Sequence, residues 1–173
     1  DPGLLTIVHQ PILDLRTGQV SGYEALARFA DGGAPDQWFA EAHRFGLGVE
    51  LEALAVQRAL ADRPTDGTYL SVNLGPTALM SAAVAKVLPR RLDGVVIEIT
   101  EHEEIRRIDR ILPLIAELRR RGARFLVDDA GSGYAGFQQL MRLEPDLIKL
   151  DRSLVTGVVD DRVKAALINA IVR

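Results

Sequence analysis

Short apolar strands alternate with helical segments along most of the chain, and this order restricts the fold more than any other feature. After an N-terminal hairpin, the predicted strands are Tyr69–Leu74, Val95–Thr100, Arg124–Asp129 and Leu147–Asp151. The helical segments that follow them are Pro76–Leu88, Ile108–Arg121, Tyr134–Arg142 and Val159–Val172. Nearly continuous apolar strands in this alternation predict parallel β/α units, with both faces of the sheet covered.

The N-terminal part has a different pattern. Leu4–Leu15 and Val20–Phe29 are two extended runs joined by a turn sequence ending at Gly18, which predicts an antiparallel hairpin. Two helical segments follow, at Pro35–Phe45 and Val49–Ala61. The total is about six strands in an α/β fold. A flavodoxin-like open sheet and a TIM-like barrel both fit this pattern, and periodicity alone does not separate them.

Composition excludes several classes of function. The 173 residues suit one domain, and the net charge of −3, with no basic run longer than Arg119–Arg121, argues against binding long nucleic acid. The absence of cysteine excludes disulfides, zinc thiolates and a thiol nucleophile. No signal peptide or apolar stretch of ~18 residues is visible. We expect a cytoplasmic domain, either of a soluble protein or of a parent protein bound to a membrane. Because the chain begins Asp1-Pro2 without a Met, we expect it to be cut from a longer protein.

Polar side chains recur near the ends of the predicted strands. They are Glu24, Asn73, Glu98, Asp128, Asp129, Lys149 and Asp151. Because the carboxyl ends of parallel strands meet on one face of such folds, we expect these groups to lie close together. Taken singly, some have structural interpretations: Asn73 as a turn or cap, Asp128 with Asp129 as a helix start, and Glu98 with Lys149 as a buried ion pair.

Carboxylates gathered in one place repel one another and stay ionised only beside cations. Oxygen ligands without His or Cys favour Mg²⁺, Mn²⁺ or Ca²⁺. Two such ions can hold a phosphodiester and lower the pKa of an attacking water, and Lys149 is suited to orient that water or offset transition-state charge. The pattern therefore predicts a metal-dependent phosphodiester site.

Six segments, in order along the chain, resemble the motifs of EAL domains, which hydrolyse cyclic diguanylate (c-di-GMP). The segments are Gln10-Pro11-Ile12, Tyr23-Glu24-Ala25-Leu26-Ala27-Arg28-Phe29, Ser71-Val72-Asn73-Leu74, Glu98-Ile99-Thr100-Glu101, Asp128-Asp129-Ala130-Gly131-Ser132-Gly133-Tyr134 and Pro145-Asp146-Leu147-Ile148-Lys149-Leu150-Asp151. A lone Glu-Ala-Leu tripeptide would carry no weight, but six ordered motifs are specific.

The resemblance implies a TIM-like (β/α)8 barrel whose first strand is antiparallel. It implies two ions, Mg²⁺ or Mn²⁺, and the metal ligands Glu24, Asn73, Glu98, Asp128 and Asp129. Glu24, Asp128 and Lys149 would be catalytic, Lys149 lying beside the attacking water. Gln10 and Arg28 would bind the substrate, and Glu101 and Asp151 would brace the loop after the fifth strand. The product would be linear pGpG.

The resemblance also implies partners. A homodimer through residues 130–137 is expected, together with an upstream sensory or GGDEF-type domain in the parent protein. The chain departs from the family at Ala130, where Phe is usual, and after Arg173, where the family continues for roughly two more β/α units with another metal-binding Glu. We therefore expect residues 1–173 to be a single EAL domain that is incomplete at its C-terminus. Six strands do not close a barrel.

Three functions follow as hypotheses. The first is a metal-dependent c-di-GMP phosphodiesterase, which the ligand set from Glu24 to Lys149 favours. The second is an inactive receptor that binds the dinucleotide, which Ala130 and the missing Glu favour. The third is a module that serves only dimerisation or interaction, and it gives no reason for carboxylates at the strand ends.

Overall fold

A computed structural model describes residues 4–99, 108–130 and 142–172. The strands are β1 (Leu5–Leu13), β2 (Val20–Phe29), β3 (Tyr69–Leu74), β4 (Val95–Ile99), β5 (Arg124–Ala130) and β6 (Leu147–Leu150). The helices are α1 (Pro35–Arg44), α2 (Gly48–Ala61), α3 (Pro76–Leu79), α4 (Ala82–Val87), α5 (Ile108–Arg120), α6 (Arg152–Val155) and α7 (Arg162–Val172). Helices follow β3, β4 and β6, as the sequence predicts, and most of the connection between β5 and β6 lies outside the described residues.

The strands form one six-stranded sheet in the order β1-β2-β3-β4-β5-β6. β1 and β2 are antiparallel, which confirms the predicted hairpin, and every later pair is parallel. Sequential neighbours joined by helical connections are the expected arrangement for β/α units. The prediction of an α/β fold with a mostly parallel sheet and an antiparallel first strand is therefore confirmed.

The hydrophobic core lies between one face of the sheet and the helices α2, α4 and α5. Ile97 and Phe125 face this core from the sheet, and Val56, Val84 and Ile115 face it from the helices. All five residues of β4 are buried, so β4 is covered on both faces. Burial on both faces explains why the central strands are nearly continuous apolar runs.

Several predicted boundaries are wrong, each for a local reason. The helix predicted from Pro76 to Leu88 is two helices, because the Ser81 hydroxyl accepts a hydrogen bond from the Val84 amide and begins α4. The last helix begins at Arg162 rather than Val159, since the Asp161 carboxylate accepts hydrogen bonds from the amides of the first turn.

The strand predicted to end at Leu15 ends at Leu13, because Asp14 turns the chain by accepting from the Arg16 and Thr17 amides. The strand predicted to end at Asp151 ends at Leu150, and Asp151 caps α6 instead. The short helix predicted at 134–142 lies almost entirely outside the described residues. Of the helices that the structure describes, none is both long enough and apolar enough to cross a bilayer.

Candidate active site

Strand alternation places the predicted site residues on the face of the sheet opposite the α2–α4–α5 core. Glu24 on β2 lies opposite Ser71 on β3, and Asn73, two residues further, lies opposite Glu98 on β4. Cross-strand partners share a face, and so do residues two apart. Glu98 lies opposite Leu126 on β5, and Asp128 is two residues further along that strand. Leu126 in turn lies opposite Leu147 on β6, and Lys149 is two residues further.

Lys149 Nζ is the centre at which three carboxylates meet. It donates to Glu98 Oε1 at 2.6 Å, to Glu24 Oε1 at 3.2 Å and to Asp128 Oδ2 at 3.3 Å. The Asn73 amide also approaches this group, with Nδ2 3.4 Å from Glu24 Oε1. The structure thus brings together four of the predicted acidic and amide side chains and the lysine, which come from five different strands.

Burial governs the electrostatics of this cluster. Glu98 is 1% exposed, and its desolvation raises the pKa of its carboxyl to about 7, against the lowering effect of Lys149, while Glu24 and Asp128 raise it further. Burial alone would lower the pKa of Lys149, but its hydrogen bond to Glu98 and the three negative charges outweigh that effect and raise it. Lys149 therefore stays charged as the internal counter-ion of the carboxylates.

The donor set fits a hard divalent cation. Glu24, Asn73, Glu98 and Asp128 offer only oxygen ligands, and one lysine leaves three carboxylates with a net negative charge. No three Asp, Glu or His side chains in residues 4–99, 108–130 and 142–172 are already arranged around a common ion position. Lys149 Nζ lies among these carboxylates, so an ion would have to share or take over its contacts.

The β5 strand is irregular at its acidic end. Val127 lies opposite Ile148 and Ala130 lies opposite Leu150, so β5 has one more residue than β6 over this stretch. The extra residue falls at Asp128–Asp129. A bulge of this kind redirects the side chains around it and is frequent beside active sites. Asp128 and Asp129 are therefore adjacent at the irregular, carboxyl end of β5.

A cleft of about 860 Å³ opens over the ends of β2 and β3, beside the cluster. Glu24, Asn73, Asp128 and Arg28 line it on the side of the carboxylates, and residues of α1 and α2 line its other wall. β2 pairs with β3 only as far as Ala25, so its last residues pair with β1 alone and line the opening. A cleft of this volume accommodates a ligand of the size of a dinucleotide.

The remaining predicted residues lie outside the group of side chains around Lys149. Gln10 is exposed on β1, directly opposite Glu24. The Arg28 guanidinium lies at the cleft and donates to the Ala27 carbonyl at 2.7 Å. The Asp151 carboxylate accepts from the Ser153 amide at 2.8 Å as the cap of α6, so its predicted bracing role stays a prediction. Glu101 and most of the loop 130–137 lie outside the described residues.

Two polar residues beside the site were missed by the sequence analysis. Ser71 is fully buried and donates to Glu98 Oε2 at 3.1 Å. Glu52 on α2 is also buried; Oε2 accepts from the Gly75 amide at 2.7 Å, and Oε1 lies 3.0 Å from His43 Nε2. Ser71 was detectable as a polar residue two positions before Asn73, on the same strand face. Glu52 was detectable only through its spacing, because it lies four residues before Val56 and seven before Ala59 on the buried face of α2.

Comparison with protein-family profiles shows the family of this chain. A profile described as the EAL domain matches residues 3–173. The chain belongs to the EAL domain family. The match covers nearly the whole chain, so it includes every strand that contributes to the carboxylate cluster.

Relatives of this EAL domain include proteins named for c-di-GMP hydrolysis. The probable cyclic di-GMP phosphodiesterase PdeA of Escherichia coli K12 is 32% identical over 187 residues, which cover 99% of this chain and 25% of PdeA. The cyclic di-GMP phosphodiesterase NbdA of Pseudomonas aeruginosa is 28% identical over 171 residues, which cover 89% of this chain and 22% of NbdA. The chain thus spans about a quarter of the length of these relatives.

Solved EAL structures resemble the fold closely. Klebsiella pneumoniae BlrP1 in a calcium and c-di-GMP complex is 32% identical, with a TM-score of 0.79 over 100% of this chain and 47% of that one. Its manganese and c-di-GMP complex at pH 6 is 30% identical, with a TM-score of 0.82 over 98% of this chain and 46% of that one. Divalent cations and the dinucleotide therefore occur together in a structural relative.

Proposed function

We propose that this EAL domain hydrolyses one phosphodiester bond of c-di-GMP to give linear pGpG, with the help of bound divalent cations. The observation that carries the proposal is the convergence of Glu24, Glu98 and Asp128 on Lys149, from four strands of one sheet. Three carboxylates at one point are costly in a structural site, because each must be desolvated. Grouping them is useful where cations and a phosphodiester have to be held.

The metal ligands in this proposal are Glu24, Asn73, Glu98 and Asp128, with Asp129 serving a second ion. One relative, BlrP1, in complexes with manganese and with calcium supports a divalent cation, and we propose Mg²⁺ or Mn²⁺ for turnover. When bound, such ions would neutralise the phosphodiester, lower the pKa of an attacking water and stabilise the leaving oxygen.

The protein's own groups perform the positioning. Lys149 would hold the attacking water by hydrogen bonding and offset negative charge as it grows on the phosphate. Arg28, at the cleft, would pair with a phosphate oxygen, for which a guanidinium is well shaped. Gln10, opposite Glu24 on the neighbouring strand, would hydrogen-bond the nucleotide.

The test is product formation by the full-length protein. Incubation with c-di-GMP and Mg²⁺ or Mn²⁺, followed by chromatography, should yield pGpG, and EDTA should stop it. Glu24→Gln keeps the size of the side chain and removes its charge, so we expect turnover to fall at least about a hundredfold. Glu41→Gln, an exposed glutamate on α1, is the matched control and should retain full activity. Absence of pGpG with both metals would remove the proposal.

A second candidate is a receptor that binds c-di-GMP without cleaving it. One observation favours it: Lys149 already neutralises part of the carboxylate charge, so the cluster is stable without an ion. Calorimetry in EDTA decides between the two. Tight binding that is independent of metal, together with no pGpG in Mn²⁺, would identify a receptor, whereas turnover would exclude it.

The proposal extends to the complete barrel, the dimer and the parent protein. We propose that the six strands are part of a TIM-like barrel whose interior carries the carboxylate cluster, as expected for sites at the carboxyl ends of parallel strands. A homodimer through residues 130–137 and an upstream sensory or GGDEF-type domain remain predictions. Size measurement of the full-length protein by light scattering would test the dimer.

A further inference from the structure

Ser71 is a buried hydroxyl whose position is fixed by the strand register. It lies in the middle of β3 with no solvent exposure. Its neighbours in the sheet are Glu24 on β2 and Val96 on β4, two residues before Glu98. Ser71 is therefore located below the carboxylate cluster, on the same face of the sheet and between the two glutamates.

The two oxygens of the Glu98 carboxylate have different partners. Oε2 accepts from the Ser71 hydroxyl at 3.1 Å, and Oε1 accepts from Lys149 Nζ at 2.6 Å. A carboxylate with both oxygens held cannot rotate freely about its terminal bond. The Ser71 contact thus keeps one oxygen inward, toward the strands, and leaves the other directed at the centre of the cluster.

We propose that Ser71 is a positioning residue that presents Glu98 to a bound divalent cation. This inference rests on the proposed function, because it assigns Glu98 as a metal ligand. A ligating carboxylate held by a hydrogen bond has already lost the rotational freedom that cation binding would remove. Such supporting partners typically contribute a factor of about 10 to 100 in metal affinity.

The alternative is that the hydroxyl only satisfies a buried polar group and has no influence on the ion. Both views predict some loss of stability when the hydrogen bond is removed. Only the positioning role predicts a specific loss of cation affinity. A useful control must therefore lower stability similarly, near Glu98, without touching the carboxylate.

The experiment measures Mn²⁺ binding to the full-length protein by electron paramagnetic resonance, with thermal melting in parallel. Ser71→Ala should weaken Mn²⁺ affinity about tenfold. The control Ile97→Val shortens a fully buried side chain beside Glu98 on the opposite face of β4, and should lower the melting temperature without changing Mn²⁺ affinity. For c-di-GMP hydrolysis, Ser71→Ala should lower kcat and leave KM nearly unchanged. The Mn²⁺ affinity of Ser71→Cys, whose side chain is nearly equal in size, should lie between those of the wild type and Ser71→Ala.

Unchanged Mn²⁺ affinity in Ser71→Ala overturns the proposal, and so does an equal loss of affinity in Ile97→Val, which would show general loosening. If Ser71→Ala does not fold, Ser71→Cys takes its place under the same criteria. A wild-type protein that binds Mn²⁺ but forms no pGpG contradicts only the proposed function, because the affinity comparison still tests Ser71. A wild-type protein that binds no Mn²⁺ contradicts both.

Discussion

At the scale of single residues, the site is organised around one cation of the protein itself. Lys149 contacts carboxylates on β2, β4 and β5, and the closest of them belongs to Glu98, which is almost fully buried. A charged lysine in this position stabilises the site before any ion is bound. An ion bound at the same oxygen atoms, as we propose, would have to compete with it.

Replacement of Lys149 by Met should separate ion binding from turnover. Removing an ammonium group that lies within hydrogen-bond distance of three carboxylates relieves the competition, so we expect Mn²⁺ affinity to rise at least about tenfold. Hydrolysis of c-di-GMP should be lost, because the group that we propose to hold the attacking water is absent. Calorimetry with Mn²⁺ and a pGpG assay measure the two effects.

The matched control for this substitution is Lys164→Met. Lys164 donates to the carbonyls of Ser153 and Thr156 on the surface, away from the carboxylates. It should leave both Mn²⁺ affinity and turnover unchanged. Weaker Mn²⁺ binding by Lys149→Met would show that the lysine supports the ion rather than competing with it, contrary to our interpretation.

At the scale of elements, the lower half of the β2–β3 pair depends on a glycine under an aromatic ring. Gly22 lies opposite Tyr69, and a Cβ at Gly22 would lie 2.5 Å from the tyrosine ring. The Arg124 guanidinium lies over the same ring, 4.9 Å from its centroid. The ring fills the space that a side chain at position 22 would need, and this fixes where β2 and β3 meet.

A double-mutant cycle tests this packing. Gly22→Ala should lower the free energy of unfolding by about 1–3 kcal/mol, since the ring has to move. In a Tyr69→Ala background the same change should have little effect, because the space is free. Urea denaturation of the wild type, both single variants and the double variant provides the coupling energy. Equal effects of Gly22→Ala in both backgrounds would contradict the proposed contact.

The elements themselves were largely predictable from the sequence, and their ends were not. Apolar runs such as Val95–Ile99 exist because β4 is buried on both faces, and that burial is visible in the sequence. The division of the helix at Ser81 depends on a side chain that competes for a backbone amide. Propensity patterns average over such single hydrogen bonds, so they miss the boundary.

At the scale of the whole molecule, the buried cluster makes stability depend on pH. The pKa of Glu98 is raised by burial from 4.5 to about 7, so the folded state binds a proton that the unfolded state has already lost. Stability from this group is therefore complete below about pH 4.5 and is lost as pH rises through about 7. The loss for the metal-free protein is at most about 3 kcal/mol.

This dependence can be measured by urea denaturation in EDTA at pH 5 and pH 8. The metal-free protein should be more stable at pH 5, and Glu98→Gln should reduce the difference between the two values, because the amide does not titrate. Saturating Mn²⁺ should reverse the order by stabilising the ionised site at pH 8. A wild-type difference that Glu98→Gln leaves intact would assign the effect to other groups.

The sequence by itself determined the β/α order, the antiparallel hairpin and the family, because apolar periodicity and ordered motifs are local properties of the chain. It also identified Glu24, Asn73, Glu98, Asp128 and Lys149, since polar residues at the ends of apolar strands are conspicuous. Only the tertiary structure decided that Lys149 lies among three carboxylates, that Ser71 holds Glu98 and that Glu52 contacts the turn after β3. These contacts join residues far apart in the chain, and their distances depend on strand register and side-chain direction, which no local pattern specifies.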